Sequence, residues 1–276
     1  MDSRPIGVFD SGVGGLTAVK ELQKLLPSEE IVYLGDTGRV PYGTRSRETI
    51  IRYAKQDIAY LRRQDVKLLV VACGTVSSNL DEAHLEEIGL AIPWTGVVVP
   101  ATRTACRTTR NGRVGLIATP ATVRSGAYEK NARQIAPEIQ VISQACPLLV
   151  PLAENGLVEK DNPISRLTLE MYLKPLAQAD IDTLILGCTH YPLFYEAIAE
   201  IMGPAVTLID SGAEAARETR RLLEQHDLLT SRKEEGTARY CVTDTVERFA
   251  EVAAIFLGKN VLGQVKFVQL EENTGD

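Results

Sequence analysis

The chain has no long hydrophobic run, no paired-cysteine motif and no excess of basic charge. Its longest apolar stretches, Leu68–Ala72 and Ala145–Leu152, are far too short to cross a bilayer. The opening Met1-Asp2-Ser3-Arg4-Pro5 runs straight into strand-like sequence. It lacks the charged segment and apolar core of a secretory signal, so secretion is not expected. Five cysteines, an odd number without CxxC spacing, argue against structural zinc and against a disulfide framework. A reducing cytoplasm suits such free thiols. Only three histidines are present, and no His/Cys/Asp/Glu cluster has metal-ligand spacing, so no metal is expected. Thirty Lys and Arg against 36 Asp and Glu give a net charge of −6. That balance favours solubility and carries no nucleic-acid footprint. What remains, in 276 residues that are 45% hydrophobic and 24% charged, is an ordinary globular chain with length for one large domain or two of moderate size.

Short β-rich runs alternate with longer stretches of helical spacing. The runs predict strands at Pro5–Phe9, Ile31–Leu34, Lys67–Ala72, Thr95–Val98, Arg113–Ile117, Ile139–Ser143, Thr183–Leu186, Val206–Ile209, Arg239–Val242 and Val265–Val268. Between them, Leu16, Val19, Leu22, Leu25 and Leu26 share one helical face. Ile50, Tyr53, Asp57, Tyr60 and Leu61 share another, with Asp57 as its polar exception. Alternation of this kind predicts an α/β protein with mostly parallel sheets and helices on both faces.

The chain also echoes itself. Ile6-Gly7-Val8-Phe9-Asp10-Ser11-Gly12 has the form of Val114-Gly115-Leu116-Ile117-Ala118-Thr119-Pro120. Leu68 to Thr75 resembles Thr183 to His190, with Cys73 and Cys188 at equivalent points. Val97 to Ala101 matches Leu208 to Gly212. Three matches in one order at a nearly constant offset predict two pseudo-symmetric αβ halves. No linker separates them, and the echo places the crossings near Val99 and Asp210. The expected division is a discontinuous domain of residues 1–99 plus 210–276, with 100–209 as the second, and a site at their interface.

Ligands of open α/β sheets bind at strand C-termini. Cys73 and Cys188 each end a buried strand and open the next helix, where the helix dipole favours thiolate. The Thr75 and Thr189 hydroxyls and nearby backbone N–H groups can face a carboxylate there. Buried free cysteine is also commonly inert; the recurrence at two equivalent sites is what favours chemistry. Cys106, Cys146 and Cys241 have no polar turn beside them and read as core. Asp10 is followed by Ser11-Gly12-Val13-Gly14-Gly15. This is GxGG rather than a dinucleotide GxGxxG, and a carboxylate at the strand tip would repel pyrophosphate. Asp10 suits an ammonium group or a neighbouring thiol, or serves as a helix cap. Pro41-Tyr42-Gly43, after Asp36-Thr37-Gly38-Arg39, forms either a substrate wall or a plain turn. His190, two residues from Cys188, could exchange a proton with the thiol, donate to substrate, or be structural. No lysine has a recognisable pyridoxal-phosphate context, and no cofactor is expected.

Asp10-Ser11-Gly12-Val13-Gly14-Gly15-Leu16, Pro41-Tyr42-Gly43, Ala72-Cys73-Gly74-Thr75 and Gly187-Cys188-Thr189-His190-Tyr191-Pro192 together resemble the glutamate racemases, in order from about Pro5 to Leu257. The resemblance implies a cofactor-independent interconversion of L- and D-glutamate, D-glutamate being a peptidoglycan precursor, in a bacterial cytoplasm and usually as a homodimer. It implies that Cys73 and Cys188 exchange acid and base roles, with Asp10 assisting the first and His190 the second. Ser11, Pro41, Tyr42, Gly43, Gly74, Thr75, Thr119, Thr189 and His190, with Asp10, would hold the substrate, and Glu154 would match a family acid near the second thiol. A racemase of a related amino acid such as aspartate, or a non-catalytic amino-acid binding protein, is the alternative. The family usually carries Asn where this chain has Gly74. An amide there would add a hydrogen bond to a charged ligand, so the expectation is that Gly74→Asn improves glutamate kinetics.

Overall fold

The computed structural model describes residues 1–270. Its strands are β1 (Ile6–Asp10), β2 (Ile31–Gly35), β3 (Leu68–Val71), β4 (Trp94–Gly96), β5 (Arg113–Ala118), β6 (Gln140–Ala145), β7 (Thr183–Leu186), β8 (Thr207–Asp210), β9 (Ala238–Val242) and β10 (Val265–Phe267). Every expected strand is present, with ends displaced by two residues at most. The displacement at Val97 and Val98 arises because Ser77 Oγ accepts both of their backbone N–H groups, turning the chain into the next helix.

The strands form two sheets, one ordered β10-β9-β2-β1-β3-β4 and one ordered β6-β5-β7-β8. Every pairing is parallel. Within them, β2-β1-β3-β4 and β6-β5-β7-β8 have the same order, which is the sequence echo in three dimensions. β9 and β10 extend the first sheet beyond β2.

Alternate residues of each strand serve opposite faces. Ile6, Val8, Leu68 and Val70 join a core that also takes Val114, Leu116 and Ile185 from the second sheet. Phe9, Leu69 and Val71 face a separate core beneath the helix Arg47–Arg63. Ile117, Leu184 and Leu186 face a third, with Leu169, Leu173 and Leu176 of the helix Pro163–Gln178. One continuous core therefore runs across both sheets. The helices Leu16–Leu25, Val98–Thr108 and Ser211–Gln225 pack within it. Among the described residues no helix is long and apolar enough to cross a membrane.

Candidate active site

Register places the two thiols alike. Beyond β3, Ala72 N–H donates to Phe9 O of β1 at 2.9 Å; beyond β7, Gly187 N–H donates to Ile117 O of β5 at 2.8 Å. The next residue is Cys73 in the first case and Cys188 in the second, both buried. The loops that carry them touch. A β-carbon built on Gly74 would press into the Gly187 carbonyl oxygen and lie 3.8 Å from Cys188 Cα. No positive φ is involved; close backbone approach is what favours glycine here.

Cys73 Sγ donates to Ser11 Oγ at 3.5 Å. Burial, with the Asp10 charge adding to it, pushes this thiol up to about 12, against the hydrogen bonds from Ser11 and Val76. Asp10 ends β1, 1% exposed. Its Oδ1 accepts Gly12 N–H at 2.9 Å, and its Oδ2 accepts the Thr189 hydroxyl at 3.5 Å. Burial raises the Asp10 carboxyl, and the charge of His190 pulls the other way.

The second thiol has a different escort. Cys188 Sγ lies 3.8 Å from His190 Nδ1, and His190 Nε2 lies 2.9 Å from Glu154 Oε1. Burial disfavours a charged imidazole, yet its two partners, the sulphur and the carboxylate, outweigh it and raise His190 to about 10. Phe256 meets the ring edge-on at 5.3 Å. Glu154 ends the helix Leu149–Glu154 and keeps its side chain 37% exposed, at the rim of a cavity of about 240 Å³ shared with Gly12, Val13 and Val40.

The other expected residues gather on the same seam. The hydroxyls of Thr75 and Thr119 are 2.9 Å apart, and Thr119 caps the helix that begins at Pro120. Gly43 abuts Thr119, whose Cβ would lie 3.1 Å from a β-carbon on the glycine. Pro41 is exposed. Tyr42 is buried, aims its hydroxyl at Asp36 and Asp57 and packs its ring against Tyr53 at 5.3 Å. Cys146 and Cys241 are buried core thiols and Cys106 is half-buried in a helix.

Two contributors escaped the sequence reading. Thr17 Oγ1 donates to Thr189 O at 2.9 Å, and Gly14 leaves space that a side chain would take from Thr189 and His190. Threonine on a helix face carries no signal of such a bond. Gly14 was visible only as part of a glycine-rich turn. The expected gain from an amide at position 74 meets a steric cost: a β-carbon there presses into the Gly187 carbonyl, so an asparagine needs the two loops to part.

Residues 15–219 match the Asp/Glu/Hydantoin racemase family. The chain is 48% identical to the glutamate racemase of Geobacter metallireducens, over 98% of each chain. It is 44% identical to that of Streptococcus gordonii, over 95% of this chain and 97% of the relative. Among solved structures, a glutamate racemase isoform from Bacillus anthracis superimposes with a TM-score of 0.92 at 38% identity, covering 98% of this chain and 99% of the other. The Francisella tularensis glutamate racemase in complex with D-glutamate gives 0.89 at 40% identity, with the same coverage.

Proposed function

The chain belongs to the Asp/Glu/Hydantoin racemase family, and from that premise we propose that it interconverts L- and D-glutamate by proton transfer at Cα between two thiols. The observation that carries this is the pair of cysteines at equivalent strand tips, one from each sheet, on loops in van der Waals contact. Inversion at a carbon needs a base on one face and an acid on the other. One sulphur removes the Cα proton as a thiolate; the other, as a thiol, delivers its own proton to the opposite face. The reverse reaction exchanges their roles.

The escorts suit those roles. Cys73 rests as a thiol, an acid ready to donate. His190 sets one ring nitrogen against the Cys188 sulphur and the other against Glu154, which puts a proton-transfer partner beside the second thiol. Asp10 assists Cys73, and His190 with Glu154 assists Cys188. The Ser11, Thr75, Thr119 and Thr189 hydroxyls, the turn Pro41-Tyr42-Gly43 and the backbone at Gly74 would hold the ammonium and carboxylate groups.

The reading extends to the whole chain. Residues 1–99 with 210–276 form one domain and 100–209 the other, residues 271–276 lying outside the described part. Strand membership supports the division, since β1 to β4 with β9 and β10 make one sheet and β5 to β8 the other. The product is a cell-wall precursor made in the cytoplasm, without cofactor, by a homodimer.

Incubation with L-glutamate in deuterated water tests the function. The α-hydrogen should exchange as D-glutamate accumulates; binding without exchange would mark a non-catalytic protein, and activity on aspartate alone would change the substrate. Cys73→Ala and Cys188→Ala should each abolish racemisation in a folded protein. Near-parental activity in either variant contradicts the two-thiol assignment.

A further inference from the structure

Asp57 interrupts the apolar face of the helix Arg47–Arg63 and is fully buried. A charged residue in that position needs partners, and it has two. Arg39 Nη2 donates to Asp57 Oδ1 at 3.0 Å, and the Tyr42 hydroxyl oxygen lies 3.3 Å from Asp57 Oδ2. The same tyrosine hydroxyl makes a much shorter contact with Asp36 Oδ2. Asp36 is also fully buried. It receives Arg39 Nε at 2.5 Å and the Thr243 hydroxyl at 2.8 Å.

A phenol has one proton. The shorter contact assigns it to Asp36, so the Tyr42 oxygen offers Asp57 only lone pairs. An ionised Asp57 would set its Oδ2 against those lone pairs, in a buried site where a single guanidinium serves two acids. A neutral carboxylic acid resolves both conflicts: Oδ1 accepts from Arg39, and the Oδ2 proton goes to Tyr42. Burial, and after it the Asp36 charge, raises Asp57 well above the carboxylate range, in keeping with a neutral acid. The donors then run from Asp57 through the Tyr42 hydroxyl to Asp36, with Arg39 bridging both acids and stacked over Tyr53 at 4.2 Å. What it grips is the turn at Tyr42. The next residue, Gly43, leans on Thr119, whose hydroxyl meets Thr75, two residues past Cys73.

We propose that Asp57 is a positioning residue that works as a neutral acid, donating its proton to Tyr42 and thereby fixing the Pro41-Tyr42-Gly43 turn as a wall of the glutamate site. This rests on the glutamate reading for its kinetic arm but not for its spectroscopic one. Asn reproduces the pattern, an acceptor toward Arg39 and a donor toward Tyr42; Ala removes both.

Steady-state kinetics of Asp57→Asn and Asp57→Ala test the proposal. Asp57→Ala should raise the KM for glutamate about tenfold while kcat stays within about threefold, the mark of lost ground-state binding. Asp57→Asn should restore KM to within about threefold of the parent. Equal impairment of the two variants, or an unchanged KM in a folded Asp57→Ala enzyme, overturns it. Should Asp57→Ala fail to fold, Tyr42→Phe takes its place, with the same rise in KM expected and an unchanged KM counting against. Independently, the infrared difference spectrum of parent minus Asp57→Asn should show the carbonyl stretch of a neutral buried carboxylic acid. A carboxylate band in its place overturns the proposal whether or not the parent racemises glutamate. A parent without racemase activity, by contrast, refutes only the glutamate reading.

Discussion

Position 74 sets two residue-scale effects against each other. An amide on that residue would add a hydrogen bond to a charged ligand, but its β-carbon would have to displace the backbone at Gly187. Backbone cannot swing aside as a flexible side chain does, and overpacking of this kind costs about 1–3 kcal/mol. Displacement wins, because it moves the loop that carries Cys188. Gly74→Asn is therefore expected to lower kcat about tenfold or more, since small misplacements are costly in proton transfer, and to lower the melting temperature. Kinetics and thermal unfolding of that single variant check this; improved turnover would show that the two loops part easily. Cys73 offers a second test. With its thiol raised to about 12, little thiolate exists near neutrality. Haloacetamide labelling of Cys73, followed by peptide mass spectrometry, should be slow at neutral pH. It should quicken about tenfold per unit as pH rises toward that value, because only thiolate reacts. A rate that levels off just above pH 9 would place the thiol at its ordinary value.

At the scale of elements, the crossing between sheets depends on caps. Asp210 is the last residue of β8 and the N-cap of the helix Ser211–Gln225. Its Oδ1 accepts the N–H groups of Gly212 at 2.8 Å and Ala213 at 3.1 Å. Asp210→Ala should cost about 1–2 kcal/mol in denaturant unfolding and leave racemisation near the parent rate, while Asp210→Asn keeps the cap and most of the stability. Elements were also what the sequence disclosed best. The strands are β-branched runs ended by polar turns, so their positions could be read within two residues. The helix faces followed from spacing alone. Cys73 and Cys188 were legible because they recur at one place in a repeated pattern. Glu154 was reached through family resemblance only, as nothing in Leu152-Ala153-Glu154 points to His190. Asp57 was visible as a polar residue out of place, but its partners Arg39 and Tyr42 come from a loop whose path spacing does not specify. The Thr17 to Thr189 bond joins the helix Leu16–Leu25 to the loop after β7, and no local pattern encodes such a contact.

For the whole molecule, two sheets of like order share one core. The second sheet is drawn from one unbroken stretch of chain, β5 to β8, whereas the first is not. β2 lies between β1 and β9, and β9 begins only at Ala238. On a ribosome, then, β5 to β8 can pair while Ile31-Val32-Tyr33-Leu34-Gly35 still presents an open, apolar edge with no neighbour on one side. Such edges recruit strands from other chains. A late strand is thus what seals an early one, and the nascent protein passes most of its synthesis with that edge of β2 uncovered.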